Sequence, residues 1–336
     1  MATLSDVATM AGVSVSAVSR VLTGAADARV SDATRKRITD AARELDYRPN
    51  YAARALKFSR TNVVALVVPD LTNAIVSELM RGVEDEGYDK KYMVLLARAE
   101  SELEEYALPR LIKEGRIDGA LVQAADAMEP AELSEQIDSR LPVVYVNSNH
   151  PADGGYVDLE DELGTRIATR HLIGQGHKRI AFVGGLPSSV TGRRREQGFR
   201  DEMASARLPV DERFVTSLGY ELVVGRAAVG PLLDADARPT AIVVANINAA
   251  FGVLLELRSR GVSVPHDVSV VAIHYAWTAD NSWPPLTTVK MPRYELGRRA
   301  MAALYDRIHG GTVPRLVVSD PAPQLIIRES TVAPRP

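Results

Sequence analysis

Apolar positions in the first 45 residues recur at spacings of three and four, the period of helices with one buried face. Val7, Ala8 and Ala11 form one narrow stripe, and Val18, Val21 and Leu22 form a second. Gly12 falls between them, where a chain turning sharply from one helix into the next needs a residue that tolerates positive φ. Val13 plugs the corner. Ala33, Ile38, Ala41, Ala42 and Leu45 predict a third helix, from a Ser31 cap to about Leu45. From Asn62 the rhythm changes to short β-branched runs alternating with helical stretches. Strands are predicted at Val63–Val68, Met93–Ala97, Ala120–Gln123, Val143–Val146, Arg179–Val183, Phe214–Ser217, Ala241–Ala245, Ser269–Ile273 and near Leu325–Ile327. Helices are predicted at Ala74–Glu86, Leu103–Glu114, Asp161–Gly174, Arg194–Ser205, Ala249–Arg260 and Arg293–Ile308.

Continuous apolar strands spaced by helices imply parallel sheets covered on both faces. Their number suits two sheets rather than one. The fold class is therefore an α/β core of two doubly wound parallel-sheet subdomains behind a small all-α N-terminal domain. The boundaries follow the pattern: residues 1–46 for the α domain, 47–60 for a linker with a short helix, 61–159 plus 291–320 for the first core subdomain, 160–290 plus 321–331 for the second, and 332–336 as a tail. Ligands in such folds bind beyond the carboxyl ends of the strands, here in the cleft between subdomains.

The N-terminal helices carry their own chemistry. Thr3 can cap the first, with Asp6 completing a capping box, and Ser14 can cap the second. Two short helices meeting at a glycine turn have the shape of a helix-turn-helix. Val15, Ser16, Ser19 and Arg20 are left on the outer face of the second helix. Arginine is shaped for bidentate contact with guanine, and serines suit phosphates. Tyr47-Arg-Pro-Asn50 breaks the chain, and Asn50 can cap a short helix from Tyr51 to Lys57 that is too short to be stable alone. Leu56 then reads as a wedge for a minor-groove step or as an incidental linker residue.

Charge favours a nucleic-acid reading over a bare helical hairpin. Residues 1–60 hold ten Lys/Arg and six Asp/Glu, whereas the whole chain of 336 residues carries a net charge of −3. A basic arm on an acidic body is the footprint of a DNA-binding module. The chain has no cysteine, which excludes disulfides, thiol catalysis and Cys-based metal sites. No His/Asp/Glu cluster has metal spacing, and no cofactor is expected. No run approaches the ~18 apolar residues of a membrane span. No apolar signal segment opens the chain, so a cytoplasmic location is expected.

Asp6-Val-Ala-x-x-Ala-Gly-Val-Ser14, Val18-Ser-Arg-Val-Leu22, Val30-Ser-x-x-Thr-Arg35 and Tyr47-x-Pro-Asn50 with Ala53 and Leu56 resemble the LacI/GalR family of bacterial transcription regulators. Further along, Pro69-Asp-Leu-Thr-Asn73, Gly176-His-Lys-Arg-Ile180, Gly198-Phe199, Gly261-Val-x-Val-Pro265 and Arg328-Glu-Ser-Thr331 resemble its periplasmic-binding-protein-like core. The resemblance implies a regulator, a repressor in most of the family, whose affinity for a palindromic operator in double-stranded DNA responds to a small-molecule effector in the cleft. It implies that Val15, Ser16 and Arg20 read major-groove bases, and that Ala53 and Leu56 enter the minor groove. Thr3, Ser14, Ser19, Ser31, Thr34, Tyr47 and Asn50 fall at backbone-contacting positions. The loop Thr23–Arg29 lacks the family's usual Asn before Gly, which leaves its contacts open. Reading a palindrome implies a homodimer, and the few residues after Thr331 hold no heptad repeat for a tetramer.

The same resemblance places Asn73, Gln123, Asn147, Arg195, Tyr220, Asn246 and His274 against the effector. Arg193, Arg194 and Arg195 at a helix N-terminus would oppose its dipole, which favours a ligand role for Arg195. His274 could instead be structural, satisfied by backbone. His171 and His177 read as packing or turn residues, and Trp283 as a loop anchor. The family often has an aspartate after Asn246 and an acidic residue where His274 stands; this chain has Ile247, and Tyr275 and Trp277 follow His274. The expectation is a cleft less acidic and more aromatic than usual, for an effector that is not a simple neutral sugar, unless the response has been lost. An enzyme or a transport-type solute-binding protein on the same core are the competing readings. No Gly-x-Gly-x-x-Gly, Walker loop or Gly-x-Ser-x-Gly elbow supports an enzyme.

Overall fold

The computed structural model describes residues 2–22, 30–47, 60–98, 108–126, 141–152, 154–234 and 238–335. The chain divides into two compact units, Met1–Thr61 and Asn62–Pro336.

The first unit holds α1 (Leu4–Ala11), α2 (Val15–Leu22) and α3 (Asp32–Glu44). The capping box forms: Thr3 donates to Asp6 from both N and Oγ1 at 2.8 Å, and Asp6 N donates back to Thr3 Oγ1 at 3.3 Å. Gly12 ends α1 at φ 63°, in the left-handed region the turn requires. Val7, Val18 and Ile38, one from each helix, meet in a dry core. Ala33 does not join them and is exposed. Its five-residue separation from Ile38 rotates it to another face of the helix.

The second unit is built on two six-stranded sheets. The first comprises β1 (Val63–Val68), β2 (Met93–Arg98), β3 (Gly119–Val122), β4 (Val143–Val146), β5 (Tyr156–Leu159) and β11 (Arg315–Val318), in the order β11-β5-β4-β3-β1-β2. Every pairing in it is parallel. The second comprises β6 (Ile180–Gly184), β7 (Val215–Ser217), β8 (Ala241–Val244), β9 (Ser269–Ile273), β10 (Thr287–Lys290) and β12 (Gln324–Ile326), in the order β12-β10-β9-β8-β6-β7. Only β12 runs antiparallel to its neighbour. Strands β1, β3, β4, β6, β8 and β9 are buried along their whole length, as parallel strands covered on both faces must be.

Around the sheets lie α4 (Val76–Asp89), α5 (Leu108–Lys113), α6 (Asp161–Gly174), α7 (Val190–Ser205), α8 (Leu222–Leu233), α9 (Ile247–Ser259) and α10 (Arg293–Ile308). Helices α4 and α10 pack together with backbone nearly touching backbone: a Cβ added at Gly82 would fall on the Tyr294 carbonyl oxygen. Gly225 of α8 meets Ala249 of α9 in the same way.

Four elements escape the sequence pattern. Strand β5 carries Asp158, whose Oδ2 accepts from Arg194, and β10 carries Thr287 and Thr288, whose hydroxyls accept from Arg328. Strand β11 is an edge with three of its four residues exposed. Helix α8 contains Gly225, Gly230 and Pro231, all poor helix formers, and is held by its packing on α9. Trp283 is 78% exposed, so it is not the buried loop anchor expected. No described helix is long and apolar enough to cross a membrane.

Candidate functional site

On α2, Val15, Ser16 and Arg20 are exposed and Ser19 is half-buried. Arg20 Nη2 donates to Ser16 Oγ at 3.0 Å, one helical turn back, which holds the guanidinium along the outer face. Ser14 Oγ accepts from Ala17 N at 3.2 Å, and Ser31 Oγ accepts from Thr34 N at 3.3 Å, so these hydroxyls cap α2 and α3. Tyr47 N donates to Ala42 O at 2.8 Å, and the ring packs on the three-helix core. Thr3 stays exposed at the start of α1. A short-chained face bearing one guanidinium is what a helix needs to approach base edges. Asn50, Ala53, Leu56 and the expected linker helix lie outside the described residues, as does the whole segment Thr23–Arg29.

In the second unit a cavity of about 820 Å³ opens where strands of both sheets end. Asn73, Gln123, Asn147, Arg195, Tyr220, Asn246 and His274 all line it. Gln123, Asn147 and His274 directly follow β3, β4 and β9. Asn147 and His274 adopt φ 46° and 72°, a left-handed conformation uncommon outside glycine and concentrated at functional sites.

Arg195 is 2% exposed and organises the site. Its Nε donates to Asp161 Oδ1 at 2.8 Å, Nη1 to Ala245 O at 2.9 Å and Nη2 to His274 Nε2 at 2.9 Å. Its Cζ lies 5.1 Å from the Tyr220 ring centre. Helix α7 begins at Val190, capped by Ser189, four residues earlier than the pattern suggested. The three arginines therefore stand in its second turn rather than at its N-terminus. Arg193 turns back to the Pro187 and Ser188 carbonyls, and Arg194 pairs with Asp158 at 2.7 Å, so only Arg195 enters the cavity.

His274 is not satisfied by backbone. Burial, then the charges of Arg195 and Arg293, push its pKa well below the usual imidazole value, so the ring is neutral. A guanidinium can only donate, so Nε2 accepts and the proton resides on Nδ1, which has no partner. Burial pushes the Tyr220 hydroxyl up to about 12, which keeps it a donor.

Sequence reasoning missed Asp126, Thr191 and Arg293 on the lining and Asp161 behind it. Burial raises the Asp126 carboxyl, against a 2.7 Å hydrogen bond donated by Ser189 Oγ. Arg293 opens α10, beyond the last segment the resemblance assigned to the cleft. Of the residues behind the expected cleft character, His274 lines the cavity, whereas Tyr275 and Trp277 are not among its lining residues. Asp70, Asp126 and Glu221 line the cavity. Trp277 is 65% exposed, and Tyr275 donates instead to Asp280. Tyr220 and Phe251 supply phenyl rings to the lining instead. His171 donates or accepts at Thr331, and His177 binds Thr240 and the Val332 carbonyl, so both fasten the C-terminal segment. Among the described residues no cluster of His, Asp or Glu could hold a metal ion.

A helix-turn-helix unit ahead of a two-sheet ligand-binding core defines a class of DNA-binding regulators. Residues 3–50 match the family model "Bacterial regulatory proteins, lacI family", and residues 169–331 match "Periplasmic binding protein-like domain". The HTH-type transcriptional regulator DegA of Bacillus subtilis (strain 168) is 32% identical over 337 residues, 98% of either chain. The HTH-type transcriptional repressor PurR of Vibrio parahaemolyticus is 32% identical over 334 residues, again 98% of either chain. Among solved structures, the transcriptional regulator CelR in complex with cellobiose aligns at a TM-score of 0.73 and 32% identity, over 98% of this chain and 100% of that one. The chain belongs to the LacI family and is a helix-turn-helix transcriptional regulator.

Proposed function

We propose that this regulator is a homodimeric repressor of a palindromic operator, controlled by a small-molecule effector held in the cavity between its two sheets. The observation that carries this reading is the convergence of Asn73, Gln123, Asn147, Arg195, Tyr220, Asn246 and His274 on one cavity, from chain segments some 200 residues apart. Its volume suits a small molecule. Asn73, Gln123 and Asn147 come from the first sheet's loops and Tyr220, Asn246 and His274 from the second's, so a ligand bridging them changes the preferred angle between the sheets. Coupling of that kind amounts to about 1–3 kcal/mol and is reciprocal between operator and effector.

One helix in the major groove reads few base pairs, so specificity calls for two copies related by a twofold axis. Tyr88 on α4 and Met93, Leu95 and Leu96 on the edge strand β2 are exposed apolar side chains that a second copy would cover. Val15, Ser16 and Arg20 read bases in this scheme, while Thr3, Ser14, Ser19, Ser31, Thr34, Tyr47 and Asn50 hold phosphates. Ala53 and Leu56 enter the minor groove. The protein works on the chromosome in the cytoplasm and catalyses nothing.

Binding-site selection from random duplexes, followed by anisotropy titration at several salt concentrations, tests the DNA half. A palindromic consensus and steep salt dependence are expected. Equal binding to all duplexes would sink it. Sedimentation should give a dimer, and a stable tetramer would contradict the assembly.

A further inference from the structure

The polar side chains of the cavity are unevenly committed. Asn73, Asn147 and Asn246 each accept from a backbone N–H through Oδ1: from Ile75 at 3.2 Å, Leu159 at 2.7 Å and Asn248 at 2.8 Å. Their oxygens are thus occupied, and their amide Nδ2 groups have no partner among the described residues. The proton on His274 Nδ1 is likewise without an acceptor. Arg293 donates from Nε to the Ile75 carbonyl at 3.1 Å, while its Nη2 has none. Arg293 and His274 are 2% and 1% exposed, and both line the cavity. The lining therefore presents donors in search of acceptors.

Charge is uneven in the same direction. Arg195 is neutralised by Asp161, and Glu78, the next acid facing Arg293, is paired with Lys290 at 3.5 Å. No described carboxylate forms an ion pair with Arg293. Burial and the nearby Arg195 pull its pKa down to about 10, which still leaves it charged at neutral pH. A buried, unpaired cation is costly, and removing solvent from it serves stability in no way. Asp70 and Asp126 on the lining already accept from Thr72 and Ser189.

We infer that the effector carries a single carboxylate, held by Arg293 Nη2 and His274 Nδ1, with further oxygens accepting from the asparagine amides. This deepens the effector reading given above and rests on it. Two buried donors without acceptors match the two oxygens of one carboxylate, and a buried guanidinium outside any ion pair matches a negative charge. A phosphate dianion would bring a second charge into a cavity already lined by Asp126.

The test needs no prior identification of the effector. A small-molecule extract of bacterial cells is separated by anion exchange at neutral pH into neutral, singly charged and multiply charged fractions, and each is assayed for its effect on operator affinity by anisotropy. The activity is expected among the singly charged compounds and should survive alkaline phosphatase. Activity in the neutral or the multiply charged fraction overturns the inference, and so does activity that phosphatase destroys. Arg293→Met should require about tenfold or more of the active fraction for the same response, with a melting temperature in its absence no lower than that of the unaltered protein. An unchanged response in that variant also overturns the inference. Should Arg293→Met fail to fold, Arg293→Gln takes its place, and the elution result on the unaltered protein stands by itself. If no fraction alters operator affinity, the effector reading itself falls, and the carboxylate with it.

Discussion

Arg195 Nη2 donates to His274 Nε2 across 2.9 Å, joining α7 to the end of β9 in the interior of the second unit. Burial, aided by the nearby guanidinium charges, keeps the imidazole neutral, and the contact fixes the place of its proton. The same guanidinium is clamped by Asp161, which makes Arg195 a structural residue as well as a cavity residue.

Arg195→Met should therefore destabilise the second unit by about 3–5 kcal/mol, because Asp161 is left buried without its counterion. Urea unfolding followed by circular dichroism measures this. A loss under about 1 kcal/mol would mean that water reaches Asp161 and that the pair is not structural.

Arg20→Ala should cost ~1–3 kcal/mol on the selected operator and relax base preference at one position. Arg35, exposed on α3, should act on phosphate, so Arg35→Ala weakens all duplexes alike. Titrating both variants on operator and on random duplex separates the roles. Equal losses on both DNAs for both variants would refute the assignment.

Gly82→Ala and Gly225→Ala should each lower stability by at least ~1–3 kcal/mol, because the added methyl meets a carbonyl of the facing helix rather than a movable side chain. Gly174→Ala, with open space around it, is the control and should stabilise or leave stability unchanged. Thermal unfolding of the three variants gives the answer; similar melting temperatures would show that the helices can separate at no cost.

His171, His177 and His274 have pKa values lowered by burial from the ordinary 6.5. Below that value the unfolded chain binds protons that the folded chain does not, so stability falls as pH drops from 7.5 to 5.5. Asp126 and Asp158, raised from 3.8 by burial, act with the opposite sign at more acidic pH. His171→Gln should flatten the slope of melting temperature against pH in that window. A slope of reversed sign would show that these histidines are charged in the folded protein.

Local patterns carried the N-terminal unit and most of the core. The caps at Thr3 and Ser31, the turn at Gly12 and the stripes through Val7, Val18 and Ile38 are set by neighbours within a few residues, and so are apolar strands such as β1, β4 and β9. Ala33 misled because an apolar residue in a first turn need not share the buried face. Strand β10 and helix α8 misled because their threonines, glycines and proline are made acceptable by distant partners, which no window along the chain contains.

The sequence by itself determined that a helix-turn-helix precedes two parallel sheets, since periodicity, capping and strand length are short-range properties, and its family resemblance pointed to the residues of the cleft. Only the tertiary structure decided the electrostatics of the cavity. Asp161, Arg195, His274 and Arg293 come from four separate elements, and whether each charge is paired depends on which atoms meet after folding. Burial then magnifies every such choice, because a charge removed from water is neutralised by a partner, shifted in pKa or left waiting for one.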